Sequence, residues 1–179
     1  HFEFADRLCD NAVESVHQLK ALGIEVELLS GDEAGVVQKV ADQLKIDRFE
    51  ARCRPQDKLT RIQALQAQGR VVAMVGDGVN DAPVLAAAQV SLAMGGGTQL
   101  AHASADMLLL SEQLPHLVAA VVTSRRTLRI IRQNLVWALV YNLLALPLAA
   151  AGWIAPWMAA IGMSSSSLVV VANALRLRH

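Results

Sequence analysis

The chain has 179 residues, 54% of them hydrophobic and only 4% aromatic, and its 16 basic and 16 acidic side chains balance to zero. That balance excludes the strong basic excess of a nucleic-acid-binding domain, so no nucleic-acid partner is expected. The charge is unevenly spread: all 16 acids lie at or before Glu112, together with only 10 of the bases, which leaves that part with a net −6.

The opening HFEF has the look of a strand already under way, and the first residue is His1 rather than Met. No cleavable signal peptide follows. The chain is therefore expected to be the C-terminal piece of something longer. Apolar residues then recur at helical spacing from Asp10 to Leu22, Gly23 stops the pattern, and Ile24 to Leu29 reads as a strand that ends at Ser30-Gly31-Asp32. A helix is expected over Ala34 to Leu44 and a short strand over Phe49 to Cys53. Pro55 opens another helix, which Gly69 terminates. Cys9 and Cys53 fit neither a metal-binding CxxC nor a disulfide framework, and read as reduced cytosolic thiols.

The apolar run Val71 to Val75 is the next strand, and it delivers the chain into VGDGVNDAP, Val75 to Pro83. A short helix (Pro83 to Ala88), a strand (Val90 to Met94), a short helix (Gln99 to Ala103) and a last strand (Met107 to Leu110) complete the pattern. Alternation of strand and helix with short loops predicts a parallel sheet with helices on its faces, a Rossmann-like α/β layer. Ligands of such sheets collect beyond the carboxyl ends of the strands.

Both Ser30-Gly31-Asp32 and Gly76-Asp77-Gly78-Val79-Asn80-Asp81 fall at such ends. Gly76 and Gly78 allow backbone N–H groups to approach phosphate oxygens, and clustered carboxylates suit a hard cation such as Mg²⁺. Asp77 and Asp81 are the Mg²⁺ candidates; Ser30 and Asn80 suit phosphate oxygens. Lys58, in Arg54-Pro55-Gln56-Asp57-Lys58, could add a point charge to the same phosphoryl group, although a lysine at a helix start is also an ordinary surface residue. A lone Asp-Gly pair would be read as turn chemistry alone.

Helical character continues from Leu117 to Arg132 and becomes arginine-rich, as a stalk would. Arg125, Arg126, Arg129 and Arg132 precede, and Arg176 and Arg178 follow, 43 uncharged residues from Gln133 to Leu175. A membrane-spanning helix takes roughly 20 apolar residues, so two spans, 133–152 and 156–175, fit around a turn at Gly152 to Pro156. A buried core helix of a soluble protein is the alternative. Arginines at both outer ends and none in the turn place both ends, and the acidic part, in the cytoplasm.

MVGDGVNDAPVL resembles the hinge signature of P-type ATPases nearly letter for letter. SGD resembles that family's TGD, RPQDK its lysine segment, and GGGTQLAHASADMLLL the segment after the hinge. The resemblance implies a haloacid-dehalogenase-type phosphorylation domain over 1–116, a stalk over 117–132, the two spans as the last membrane helices, and a cytoplasmic tail over 176–179. It implies that Asp77, supported by Asp81, holds Mg²⁺, and that Ser30, Gly31, Asp32, Lys58 and Asn80 serve an aspartyl-phosphate. The aspartate of the family's DKTG motif lies outside this sequence, as does a nucleotide-binding domain, so the piece alone is not expected to turn over ATP.

Polar groups in a span tend to mark a transport path. The first span holds Tyr141-Asn142 with Pro147 beyond, and the second holds Met163, four serines and Asn173. A thioether suits Cu(I), whereas Ca²⁺ or Mg²⁺ would demand carboxylates, which neither span has. Gap-filling by Met and helix-joining by Ser and Asn are the competing reading. YN…P and MxxSS…NALRL resemble the copper subgroup, in which Tyr141, Asn142, Met163 and Ser167 would bind Cu(I); the lysine and aspartate of the zinc/cadmium/lead subgroup are missing. The resemblance thus implies an ATP-driven Cu(I) exporter of a bacterial inner membrane, partnered by the upstream part of its own polypeptide, the lipid bilayer and a copper chaperone. A Zn²⁺ or other divalent pump, a membrane-anchored phosphatase and a non-catalytic remnant remain as rivals.

Overall fold

The computed structural model describes residues 11–76, 81–96, 99–110, 113–153 and 155–178. The opening HFEF lies outside them. The chain divides into two units, His1–Val118 and Ala119–His179.

In the first unit strands and helices alternate as the sequence predicts: α1 (Ala12–Ala21), β1 (Glu27–Leu29), α2 (Ala34–Leu44), β2 (Arg48–Glu50), α3 (Pro55–Ala67), β3 (Ala73–Gly76), α4 (Ala82–Ala87), β4 (Val90–Met94), α5 (Gln99–Ser104) and β5 (Met107–Leu109). Among the described residues every ladder is parallel, in two sheets, β1-β2 and β3-β4-β5. β1 and β3 are each paired on one side only among the described residues. Parallel strands pack against helices, and here each sheet carries one apolar cluster. α1 and α2 bury Ala12, Val16, Ala41 and Leu44 with Ile46, joined by half-buried Val26, Leu28 and Phe49. Leu85 of α4 packs on Ala93 of β4 beside Met74 and Ala105.

β1 is shorter than the apolar run Ile24 to Leu29 suggests, because a ladder is only as long as its partner and β2 offers three residues, Glu27↔Arg48 to Leu29↔Glu50. Polar side chains lock the rest. Ser91, buried on β4, donates to Asp106 Oδ2 from its hydroxyl at 2.7 Å and its backbone N–H at 3.0 Å, and its Oγ accepts from Asp106 N–H at 2.9 Å. These bonds fix the entry to β5 and hold the Asp106 carboxyl below the usual carboxylate range.

In the second unit, stalk and first span form one helix, α6 (Pro115–Ala150), whose first turn lies in the first unit, followed by α7 (Pro156–Leu175) and a 3-10 turn, Arg176–Arg178. Both long helices are apolar enough to cross a membrane, and their most apolar stretches are not buried within the chain. α6 ends where Gly152 takes φ +77°, a conformation costly for other L residues, with Trp153 N–H donating to Leu148 O at 3.1 Å.

Candidate functional site

Ser30 follows β1 directly, and its hydroxyl donates to Asp32 Oδ2 at 2.7 Å while accepting from Asp32 N–H at 3.3 Å. This local turn is tied to the segment after β2: Cys53 N–H donates to Ser30 O and Arg52 N–H to Asp32 O, each at 2.9 Å. Arg52 has φ +54°, an unfavourable conformation for a side chain of its size, and the bond to Asp32 holds it there. Burial, with Glu50 and Asp57 nearby, pushes the Cys53 thiol up, so it is a poor nucleophile.

Arg54 and Pro55 then start α3. Arg54 N–H donates to Asp57 Oδ2 at 2.8 Å, satisfying a donor at the helix entry. One turn in, Lys58 Nζ meets Asp81 Oδ1 at 2.7 Å, with the two side chains only 13% and 14% exposed. Asp81 occupies the N-cap of α4, and its carboxylate lies so close to Gly76 at the end of β3 that a Cβ on that glycine would be 3.2 Å from Oδ2. Lys58, Gly76 and Asp81 thus come together at the C-terminal end of β3, as Ser30, Gly31 and Asp32 do at the end of β1. Asp77, Gly78 and Asn80 lie outside the described residues.

Ser30, Asp32 and Asp81 offer oxygen donors of the kind a hard cation takes. No cluster of three His, Cys, Asp or Glu capable of holding a metal occurs among the described residues. Sequence reasoning gave Lys58 no carboxylate partner, because Lys58 and Asp81 are 23 positions apart and meet only when α3 packs on α4.

Sequence comparison reaches the same region. The haloacid dehalogenase-like hydrolase family model matches residues 1–89. Copper-exporting P-type ATPases of Staphylococcus aureus strains JH9 and Newman are each 46% identical over 174 residues, 97% of this chain and 22% of theirs. In structure, a zinc-transporting PIB-type ATPase in its E2.Pi state superposes with a TM-score of 0.91 at 36% identity, over 97% of this chain and 28% of that one. By sequence and fold, this chain is similar to heavy-metal P-type ATPases over 97% of its length. It spans about a fifth of the length of the curated relatives it matches. The catalytic domain of a CPx-ATPase aligns with 61% of the chain and 44% of its own, with a TM-score of 0.59 and 35% identity.

The second polar group of the chain lies in the hairpin. Half-buried Asn134, Ala138, Tyr141 and Ala145 of α6 and Ala159, Gly162, Ser166, Val170 and Asn173 of α7 recur at helical spacing, as a seam between two helices does. Trp137 Nε1 donates to Ser166 Oγ at 3.1 Å and Asn173 Nδ2 to Asn134 Oδ1 at 2.8 Å across it. Asn142, Met163 and Ser167 are exposed, each one residue past a seam position. One residue turns a helix by about 100°, and in an antiparallel pair equal turns past the seam emerge on the same side. Asn142, Met163 and Ser167 therefore share one open face, while Tyr141 sits in the seam.

Proposed function

We propose that the intact protein is an ATP-driven Cu(I) export pump that works through an aspartyl-phosphate. The observation that carries the reading is the pairing of two sites in one chain: a lysine–carboxylate site at the strand ends, and a soft, uncharged Asn142, Met163 and Ser167 face in the hairpin. Copper export by the Staphylococcus aureus relatives supports the choice of ion.

In this reading the phosphate-accepting aspartate comes from the upstream part of the polypeptide, on a parallel strand that pairs with the open sides of β1 and β3. Lys58, held by Asp81, faces the phosphoryl group as a fixed positive charge, Ser30 and Asn80 hydrogen-bond its oxygens, and the Ser30-to-Asp32 turn keeps the hydroxyl in place. Asp77 and Asp81 would hold Mg²⁺, whose chemistry is to neutralise phosphoryl charge. ATP is the substrate, bound by a domain outside this chain, and Cu(I) is the cargo. Helix α6 carries the phosphorylation state toward the spans by chain continuity. Both chain ends and the α/β unit face the cytoplasm of a bacterium, in its inner membrane, with a copper chaperone as donor.

A second reading keeps the pump and changes the cargo to Zn²⁺; its support is the 0.91 TM-score to a zinc transporter. Against it stands the absence of any carboxylate from Gln133 to Leu175. Aspartyl-phosphate formation from ATP by the intact protein in vesicles separates the two. Cu(I)-dependent phosphorylation that falls about tenfold or more in both Met163→Ala and Asn142→Ala is expected. Phosphorylation driven by Zn²⁺ and indifferent to both substitutions would move the protein to the divalent class.

A further inference from the structure

We infer that Arg126, Gln133, Asn134, Asn173 and Arg176 form a latch that fastens α7 to α6 at the arginine-flanked end of the hairpin, so that a movement of α6 also moves α7. This inference deepens the proposed transport reading and rests on it for what the movement serves. Chain connectivity gives such a fastening its purpose. α6 leaves the α/β unit at its first turn, whereas α7 joins α6 covalently only through the turn at 151–155. That turn lies at the far end of the 20-residue α7, about 30 Å away at the rise of a helix. A helix tied only there can lag behind its neighbour.

Connected hydrogen bonds supply the near-end fastening. Asn173 Nδ2 donates to Asn134 Oδ1 at 2.8 Å and to Gln133 Oε1 at 3.3 Å, so one amide of α7 holds both residues that open the uncharged tract on α6. Arg176 Nη1 donates to Asn173 Oδ1 at 3.3 Å, which fixes the orientation of that amide. Arg126 Nη2 donates to Arg176 O, so an α6 side chain takes up a carbonyl at the C-terminal end of α7, where a helix leaves carbonyls unpaired and favours positive charge. Hydrogen bonds between membrane helices are individually modest. A connected network can hold more than its pairs taken singly. The latch is also separate from the open face: Asn134 lies about 12 Å along α6 from Asn142, and Asn173 about 15 Å along α7 from Met163.

A double-variant cycle on the full-length protein in membranes tests this. Asn134→Leu, Asn173→Leu and the combination remove the amide bonds without adding charge, and Asn134→Asp keeps an acceptor for Asn173. Three quantities are measured: phosphorylation from ATP stimulated by whichever of Cu(I) or Zn²⁺ acts on the wild type, aspartyl-phosphate formation from inorganic phosphate without metal, and the thermal unfolding midpoint. Loss of coupling should lower ion-stimulated phosphorylation about tenfold in each leucine variant, while formation from inorganic phosphate stays within about twofold of wild type. The combination should be no worse than either single variant, and Asn134→Asp should keep most of the stimulation, because the two amides act as one contact. Loss in Asn173→Leu with Asn134→Leu unchanged would overturn the latch and make Asn173 act alone. Equal loss of both phosphorylation reactions would also overturn it, as a packing defect that spreads to the α/β site. If neither ion stimulates the wild type, the transport reading fails by itself, and strictly additive shifts of the unfolding midpoint in the combination would still overturn the latch.

Discussion

In the proposed reading, Lys58 and Asp81 are the residues on which the α/β site turns. At 2.7 Å and little exposed to water, the pair gains more from mutual attraction than a surface ion pair would, and each partner has much to lose if the other is removed. Lys58→Ala is therefore expected to lower the stability of the intact protein by about 2 kcal/mol, below the range for a fully buried pair because some water reaches it. It should also reduce aspartyl-phosphate formation by about a hundredfold or more. Thermal unfolding and acid-stable phosphate incorporation measure the two effects, and a variant that phosphorylates normally would remove Lys58 from the site. The lysine was readable in Arg54-Pro55-Gln56-Asp57-Lys58 and the aspartate in Val79-Asn80-Asp81. Their partnership was not, since a charge names its partner only once the chain is folded.

Between elements, the decisive contact is the fork of Arg61 on α3 around Glu27 on β1, with Nη2 to Oε1 at 2.6 Å and Nε to Oε2 at 3.0 Å. It ties the helix that carries Lys58 to the strand that ends at Ser30. Arg61's hydrogen bond, against the opposing effect of burial, holds the Glu27 carboxyl below its ordinary value of 4.5, and the arginine is raised in return. A carboxyl with a depressed folded value contributes stability above its unfolded value, and that contribution is lost as pH falls through the folded value. Glu27→Gln should therefore cost about 1–2 kcal/mol near neutral pH and progressively less as pH falls through the folded value. Unfolding midpoints measured across that range check it; a cost that does not shrink in acid would contradict the ion pair. The helices were legible to within a residue or two because their periodicity, the start at Pro55 and the stops at Gly23 and Gly69 are local. Strand limits were less so: β3 runs Ala73–Gly76, not from Val71, because its pairing begins at Ala73↔Val90.

Across the whole chain, the charge pattern sets the expected membrane topology. Arginines at both ends of the uncharged tract and none between them are the pattern expected to retain both ends on the cytoplasmic side. In a background free of other reactive cysteines, Trp153→Cys should react with a membrane-impermeant thiol reagent from outside intact cells, and Leu177→Cys only in inverted vesicles. The reverse pattern would invert the protein, and reaction of both from one side would deny the hairpin its crossing.

The sequence by itself determined the class of this protein. Motifs such as Met74 to Leu85 and the 43-residue uncharged tract act locally: a glycine-rich turn and an apolar helix mean the same thing wherever the chain takes them. Only the tertiary structure decided which side chains meet. It gave Asp81 its lysine, Glu27 its arginine and Ser91 its aspartate, and it separated Tyr141 from Asn142, adjacent residues that a turn of about 100° sends to the seam and to the open face. Contacts of that kind depend on the register of one element against another, and register is fixed by packing rather than by any single stretch of sequence.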